Sequence, residues 1–391
     1  MIRRAIILVP GYQKRPHLSS RDLLVTALTH YAEGYRVTAG EPVTQGGLDV
    51  VRLDVADRAS DHKVQLDIYE SFWGDLVPDW SQESPWGRFK RGLALIWYWA
   101  GGGMLRALAR REFPTRTVAA MLVAAAMLVL WYVTVISVLI QTLGSADSSV
   151  PTGLQSLIEG NRWAEAVVEW FRGLSSLPLV LFLIGLFGLG ALEGMANLSS
   201  FIKSYLRDDA MPGDNVGIRA RARQRLVAVL DHVNATDREY DDLHVVAHSL
   251  GGVIAVDALA EYGRDLPRMV LHTWGSPLGL LAQQDALVEQ EIAKLYESAT
   301  PLMAWIDVVF RRDLLASPRP LPRVYENGQR TKRQYAQRFA PTQEPPMPHS
   351  ASMARAAIHD AYFRCDTSMR MLVAPVEALP AAPKPELPVS R

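Results

Sequence analysis

Short apolar stretches of strand-like character alternate along this chain with longer stretches whose apolar residues recur at helical spacing. "RAIILVP" near the start and "LDVVRLDV" (48–55) are rich in β-branched residues and bounded by acidic residues or glycine, the punctuation of strands. Between them, "SSRDLLVTALTHYAEGY" opens on serine and carries a helical apolar pattern, which predicts a helix. Farther on come a basic helix, "VGIRARARQRLVAVLDHVNA", the strand "LHVVAHS", the helix "GGVIAVDALAEYG", and the strands "RMVLHTWGSP" and "PLMAWIDVVF". Strand, helix, strand in this rhythm predicts the α/β class, with a mostly parallel sheet flanked by helices on both faces. The opening "MIRRAIILVPGYQ" is basic then apolar, but its apolar run stops at Pro10 and no small-residue cleavage site follows. It reads as a strand rather than a signal peptide.

Two runs break the rhythm. Thr117 to Ala146 contains no charged residue, and a spanning helix needs about 20 apolar residues, so this run is long enough to cross a bilayer with some tilt. A second uncharged run, Gly173 to Leu192, is shorter and glycine-rich, as membrane helices that pack closely often are. The expectation is an inserted two-helix transmembrane hairpin, with helices at about 118–143 and 174–192; a pair of buried core helices is the alternative. "GLALIWYWAGGGML" (92–105) is too short to span, and its aromatics suit the headgroup level.

Basic residues cluster on the flanks of the runs, from Arg88 to Arg116 and from Lys203 to Arg225. The loop between them holds only Arg162 and Arg172 against four acids. The positive-inside rule then puts both chain ends in the cytoplasm, at an inner or plasma membrane crossed more than once. Within that loop, 157–171 has helical apolar spacing and reads as an amphipathic helix on the outer surface. The expected division is 1–90 and 201–375 for the two parts of the α/β domain, 91–200 for the membrane insertion, and 376–391 for a proline-rich, disordered tail.

Composition changes little of this picture. The 391 residues can bury a full core, and 41 basic residues balance 41 acidic ones, so nothing global points to nucleic acid. The single cysteine, Cys365, excludes an internal disulfide.

The chemistry concentrates in "VVAHSLGGV" (245–253). Ser249 follows a buried strand and precedes a helix, with small residues two before (Ala247) and two after (Gly251). This is the context of a strained turn that presents a hydroxyl above the carboxyl edge of a sheet. Ala247 stands where the G-x-S-x-G pattern has glycine.

On this motif and its setting, the chain resembles the α/β-hydrolase superfamily, in particular its lipase and esterase members, over residues 2–75 and 215–374. The resemblance implies the α/β-hydrolase fold and a triad in the order serine, acid, histidine. "WIDVVFRRDLLAS" is similar to the family's strand and acid loop, which maps the acid onto Asp313; Asp307 inside the strand and Asp285 before it rank lower. "AAIHDAYFRCDTSMRML" looks like the family's late histidine stretch, with aromatics three and four residues on (Tyr362, Phe363), and gives His359. His349, in a proline-rich loop that would position a base less firmly, is the second candidate. His244 and His272 read as core groups of their strands, and His248 as the variable residue of the turn. The oxyanion donors implied are the N–H of Leu250 and that of Tyr12, since "LVPGYQ" resembles the family's His-Gly loop with Pro10 in the histidine's place.

These residues imply a serine hydrolase acting on carboxylic esters through an acyl-enzyme, with no cofactor or metal. Tryptophans beside the first apolar run and the basic stretch 311–338 suit a membrane surface, so the expected partners are the lipid bilayer and a lipid or acylated substrate. A protein-acyl thioesterase would use the same residues. A non-catalytic membrane scaffold or effector on a hydrolase fold would not need them.

Overall fold

The computed structural model describes residues 1–12, 16–103, 115–142, 161–163, 166, 169–170, 189–211, 213, 215–235, 240–264, 268–297, 302–320, 342–346 and 358–379. Its strands are β1 (Ile2–Val9), β2 (Tyr35–Ala39), β3 (Val43–Gln45), β4 (Leu48–Asp57), β5 (Lys63–Glu70), β6 (Asp242–His248), β7 (Arg268–Trp274) and β8 (Leu302–Val308). The described helices are α1 (Ser19–Tyr31), α2 (Pro85–Gly101), α3 (Thr115–Thr142), α4 (Leu189–Leu206), α5 (Ile218–Val233), α6 (Gly251–Glu261), α7 (Leu278–Gln284), α8 (Ala286–Glu297) and α9 (Asp366–Val373). They form two compact units, one of Met1–Val77 with Ala210–Arg391 and one of Pro78–Asp209.

The first unit is a sheet in the order β2-β4-β5-β1-β6-β7-β8, with β3 paired to β4. Five neighbouring strands, β5-β1-β6-β7-β8, run parallel. They read as near-continuous apolar runs because both faces are covered: Ala5 to Val9 and Val245 to Ala247 are fully buried. The far edge is antiparallel, so the sheet is mixed and mostly parallel, as the sequence leads one to expect. The cause is local. Gly46 and Gly47 take positive φ (56° and 82°) and close a tight turn between β3 and β4, and connections this short permit only antiparallel pairing.

Helix α5 buries Ile218, Ala222, Leu226, Val229, Leu230 and Val233, one stripe at helical spacing. Helix α6 is buried from Gly251 to Leu259 and apolar there apart from Asp257, whose carboxylate accepts from Arg219 (2.8 Å). At the amino edge, the buried Arg4 of β1 pairs with Asp242 of β6 (Nη2 to Oδ2 2.9 Å). It also donates to the carbonyls of Leu372 (2.6 Å) and Ala374 (3.0 Å) at the end of α9. Val376 and Leu379, the first residues of the proline-rich tail, pack into the same core; the rest of the tail, from 380, lies outside the described residues.

In the second unit, α2 and α4 pack on α3 around Leu95, Met127, Leu130, Trp131, Val135, Leu192 and Ala196. Arg91 is the polar centre. It donates to Glu83 (2.8 Å), Asn197 (2.8 Å) and Glu193 (3.3 Å), with its guanidinium 4.9 Å from the Trp131 ring centre. Because α2 and α4 belong to this packing, the unit runs from 78 to 209, beside the limits of 91 and 200 read from the sequence. The segment 92–105 expected at an interface lies, as far as it is described, mostly in α2, with Trp97 exposed.

One helix among the described residues is long and apolar enough to cross a membrane, over Met121–Leu139, and only 28% of that stretch is covered by the rest of the protein. The inserted two-helix hairpin is not shown. Residues 171–188 lie outside the described residues, and α4, which begins at Leu189, carries Glu193 and Lys203. The helix expected at 157–171 also falls outside them, apart from a few positions.

Candidate active site

The sheet places its chemistry at one edge. The chain leaves β1 toward β5 on one side and β6 lies on the other, so the strand order reverses at the β1–β6 pair. Crevices at the carboxyl ends of strands beside such a reversal are where open α/β sheets hold ligands.

Ser249 sits there, immediately after β6. Its φ is +54°, a left-handed conformation that costs a non-glycine residue about 1–3 kcal/mol and persists only where the surroundings enforce it. The enforcement is visible. Ser249 N donates to the carbonyl of Trp274 at the end of β7 (2.8 Å), and its own carbonyl accepts from Gly252 N (3.0 Å) as α6 starts. A Cβ on Gly251 would lie 2.3 Å from the Val9 carbonyl oxygen, so the helix can start this close to β1 only with glycine. Ala247, the departure from the glycine pattern, is fully buried and accommodated.

The loop after β1 passes over the serine. A Cβ on Gly11 would stand 2.8 Å from Ser249 Cβ and 3.0 Å from His248 Nδ1, so the backbone of this loop touches the serine turn directly. The buried Trp73 pins the loop by donating its indole N–H to the Pro10 carbonyl (2.9 Å). The structure thus puts Tyr12 one residue past the point of contact and Leu250 one residue past Ser249, at the amino end of α6, where unbonded N–H groups and the helix dipole favour negative charge.

His359, Asp313 and Ser249 meet in a chain of hydrogen bonds. His359 Nε2 lies 2.7 Å from Ser249 Oγ, and His359 Nδ1 lies 2.8 Å from Asp313 Oδ2. Asp313 follows β8 by five residues, is nearly buried, and is held by its own N–H to the Phe310 carbonyl (3.0 Å). Burial alone would raise its pKa. The His359 hydrogen bond and charge, the Tyr362 hydroxyl (2.9 Å) and the Leu315 N–H (3.0 Å) outweigh that and leave it below the usual carboxylate value.

The remaining candidates separate from this chain. Asp307 is buried inside β8 and accepts from Thr273 (2.8 Å), Arg319 N (3.1 Å) and Thr342 (3.1 Å), and burial raises its pKa. Asp285 accepts from Leu287 N (3.0 Å) and serves the start of α8. His244 and His272 bond each other across β6 and β7 (3.1 Å) in the core. His349 lies outside the described residues, as do 321–341 of the basic stretch.

Two participants did not follow from sequence reasoning. Tyr362 bridges Asp313 and the backbone, accepting from Phe310 N (3.1 Å) while donating to the carboxylate. Burial and the Asp313 charge push its own pKa well up, so it stays a donor. Its place three residues after His359 was the available signal. His248 bonds the His359 carbonyl through Nε2 (2.8 Å). Burial first, and the neighbouring His359 second, lower its pKa to about 4, so it is a neutral donor near pH 7. Nothing in the sequence distinguishes that role from an ordinary turn residue.

The arrangement can generate a nucleophilic alkoxide: a base touches the hydroxyl and an ionised acid orients the base. Among the described residues no three His, Cys, Asp or Glu side chains group as a metal site. Compared with models of known families, with curated proteins and with solved structures, the chain matches none.

Proposed function

We propose that this protein is a membrane-associated serine hydrolase of the α/β-hydrolase type that cleaves carboxylic esters of lipids or other acylated substrates. The observation that carries the reading is the contact of Ser249 Oγ with His359 Nε2 at 2.7 Å, continued by His359 Nδ1 to Asp313 at 2.8 Å. A serine in a strained turn, a base within proton-transfer distance and a buried acid behind the base form the constellation that acyl transfer requires.

In this mechanism His359 takes the proton of Ser249 as the oxygen attacks the ester carbonyl carbon. The oxyanion rests on the N–H groups of Tyr12 and Leu250, and Asp313 balances the imidazolium. His359 returns the proton to the departing alcohol. Water, deprotonated by His359 in turn, then releases the acid and restores the serine. Tyr362 keeps the acid ionised and oriented, and His248 holds the main chain of the base.

The lipid part of the reading rests on α3, long enough to cross a bilayer and largely uncovered over Met121–Leu139. With the second apolar run as a partner span, the protein crosses twice, and the charge asymmetry of the flanks puts the hydrolase unit in the cytoplasm. The test is labelling with a fluorophosphonate in intact membranes. Wild-type protein should label at Ser249, and Ser249→Ala should not. A folded wild-type protein that fails to label at Ser249 removes the enzymatic reading.

A further inference from the structure

The second unit holds a feature that ester hydrolysis does not use. A half-open cavity of about 590 Å³ lies between α2, α3 and α4, within the roughly 300–1,000 Å³ typical of small-molecule sites. One wall is apolar and comes from Val135 and Val138 of α3 and Leu192 of α4. Arg88 of α2 stands at the same cavity. Its side chain forms no ion pair or hydrogen bond among the described residues, and its Nε is buried away from solvent.

An uncommitted guanidinium over an apolar wall is unusual, because charged groups withdrawn from water normally find a partner. The two carboxylates that reach the cavity do not supply one. Glu83 is bound by Arg91, and Glu193 accepts from both Arg91 and the Trp131 indole (2.7 Å). Arg91 is thus saturated with partners, while Arg88, three residues earlier on α2, has none.

We propose that this cavity binds a long-chain carboxylate, a single-chain anionic amphiphile whose head sits on Arg88 and whose acyl chain lies along Val135, Val138 and Leu192. A carboxylate matches the guanidinium fork with two parallel N–H···O bonds, and the apolar wall continues from that point as an acyl chain does from its head. A guanidinium without a side-chain partner beside a cavity of this size suits one head and one chain. The site belongs wholly to the second unit and stands independently of the hydrolase reading.

The test uses full-length protein in phosphatidylcholine vesicles and a palmitate probe bearing a diazirine on its chain, irradiated and mapped by mass spectrometry. Labelling should fall within 131–138 or 189–193, drop at least tenfold in Arg88→Gln, and persist in Ser249→Ala. The matching alcohol probe, which lacks the charge, should label wild type no better than Arg88→Gln. Val138→Trp fills the cavity without touching the charge and should also block the carboxylate probe, with thermal melting confirming that both variants are folded. Equal labelling of wild type and Arg88→Gln, equal labelling by the alcohol probe, or undiminished labelling in Val138→Trp overturns the proposal. Loss in Ser249→Ala would move the bound chain to the serine site and overturn it as well. Absence of fluorophosphonate labelling, by contrast, bears only on the hydrolase.

Discussion

Replacing Tyr362 with phenylalanine removes one hydroxyl and leaves the ring in place, stacked on Phe310 at 4.3 Å between centroids. The hydroxyl has two bonds. It donates to Asp313 Oδ2 and accepts from Phe310 N, so its loss strips a donor from a buried carboxylate and orphans a buried N–H. A hydrogen bond to a charged group contributes about 1.5–3 kcal/mol, so the carboxylate should lose part of its depression. The folded pKa of Asp313 lies below its unfolded value, so the ordered acid–base pair is present above that pKa and lost as pH falls through it. Raising it moves the loss to higher pH. The acid limb of the fluorophosphonate labelling rate should therefore move to higher pH in Tyr362→Phe. The orphaned N–H should cost about 1–3 kcal/mol of stability, read as a lower melting temperature. An unchanged pH profile together with an unchanged melting temperature would refute the assignment of Tyr362 to the acid.

Three further outcomes follow from the same geometry. Gly11→Ala puts a methyl 2.8 Å from Ser249 Cβ, so the loop must move by a sizeable fraction of an ångström, and Ser249 labelling should slow by about 100-fold with little change in melting temperature. His248→Phe keeps the ring but not the bond to the His359 carbonyl; turnover should fall with KM nearly constant, and His248→Gln, which still donates, should recover most of it. His272 is buried with its pKa pushed down from 6.5 to about 3, so its contribution is intact above pH 6.5 and lost as pH falls toward 3. Chemical denaturation should show roughly 2 kcal/mol of stability lost to His272 between pH 6.5 and 5, and a flat stability across that range would contradict the burial.

The parallel strands were legible because burial on both faces writes itself as an apolar run, as in β1 and β6. The strand β5, "KVQLDIYE", was not, since it places Lys63, Gln65, Asp67 and Glu70 between its apolar residues, and two of these charges are buried among partners. Asp67 is held by Arg52 and Tyr240, contacts that only the assembled sheet creates. At the candidate site, Ser249 announced itself by the small residues its strained φ and the neighbouring β1 demand. Asp313 and His359 lay in recognisable positions after a strand and before aromatics. The bonds of Tyr362 and His248 join residues 49 and 111 positions apart, and no local pattern encodes them. The membrane segments were read from length and charge alone, and α3 is the part of that reading with a described helix behind it.

The sheet's central strand has a consequence for how the molecule is made. β1 precedes Pro78–Asp209 in the chain, yet one of its two neighbours, β6, follows only after the whole of that segment. At about 5–20 residues per second, that intervening segment takes on the order of ten seconds to emerge. For that time β1 lacks a partner on one side, while the apolar helix is already available for insertion. Arg4, which ties β1 to β6 and to the carbonyls at the end of α9, can be satisfied only once α9 has emerged. Closure of the sheet, and with it the meeting of Ser249 with His359, therefore comes only after that intervening segment has emerged. The contact of Ser249 with His359 is assembled only after the apolar helix has emerged.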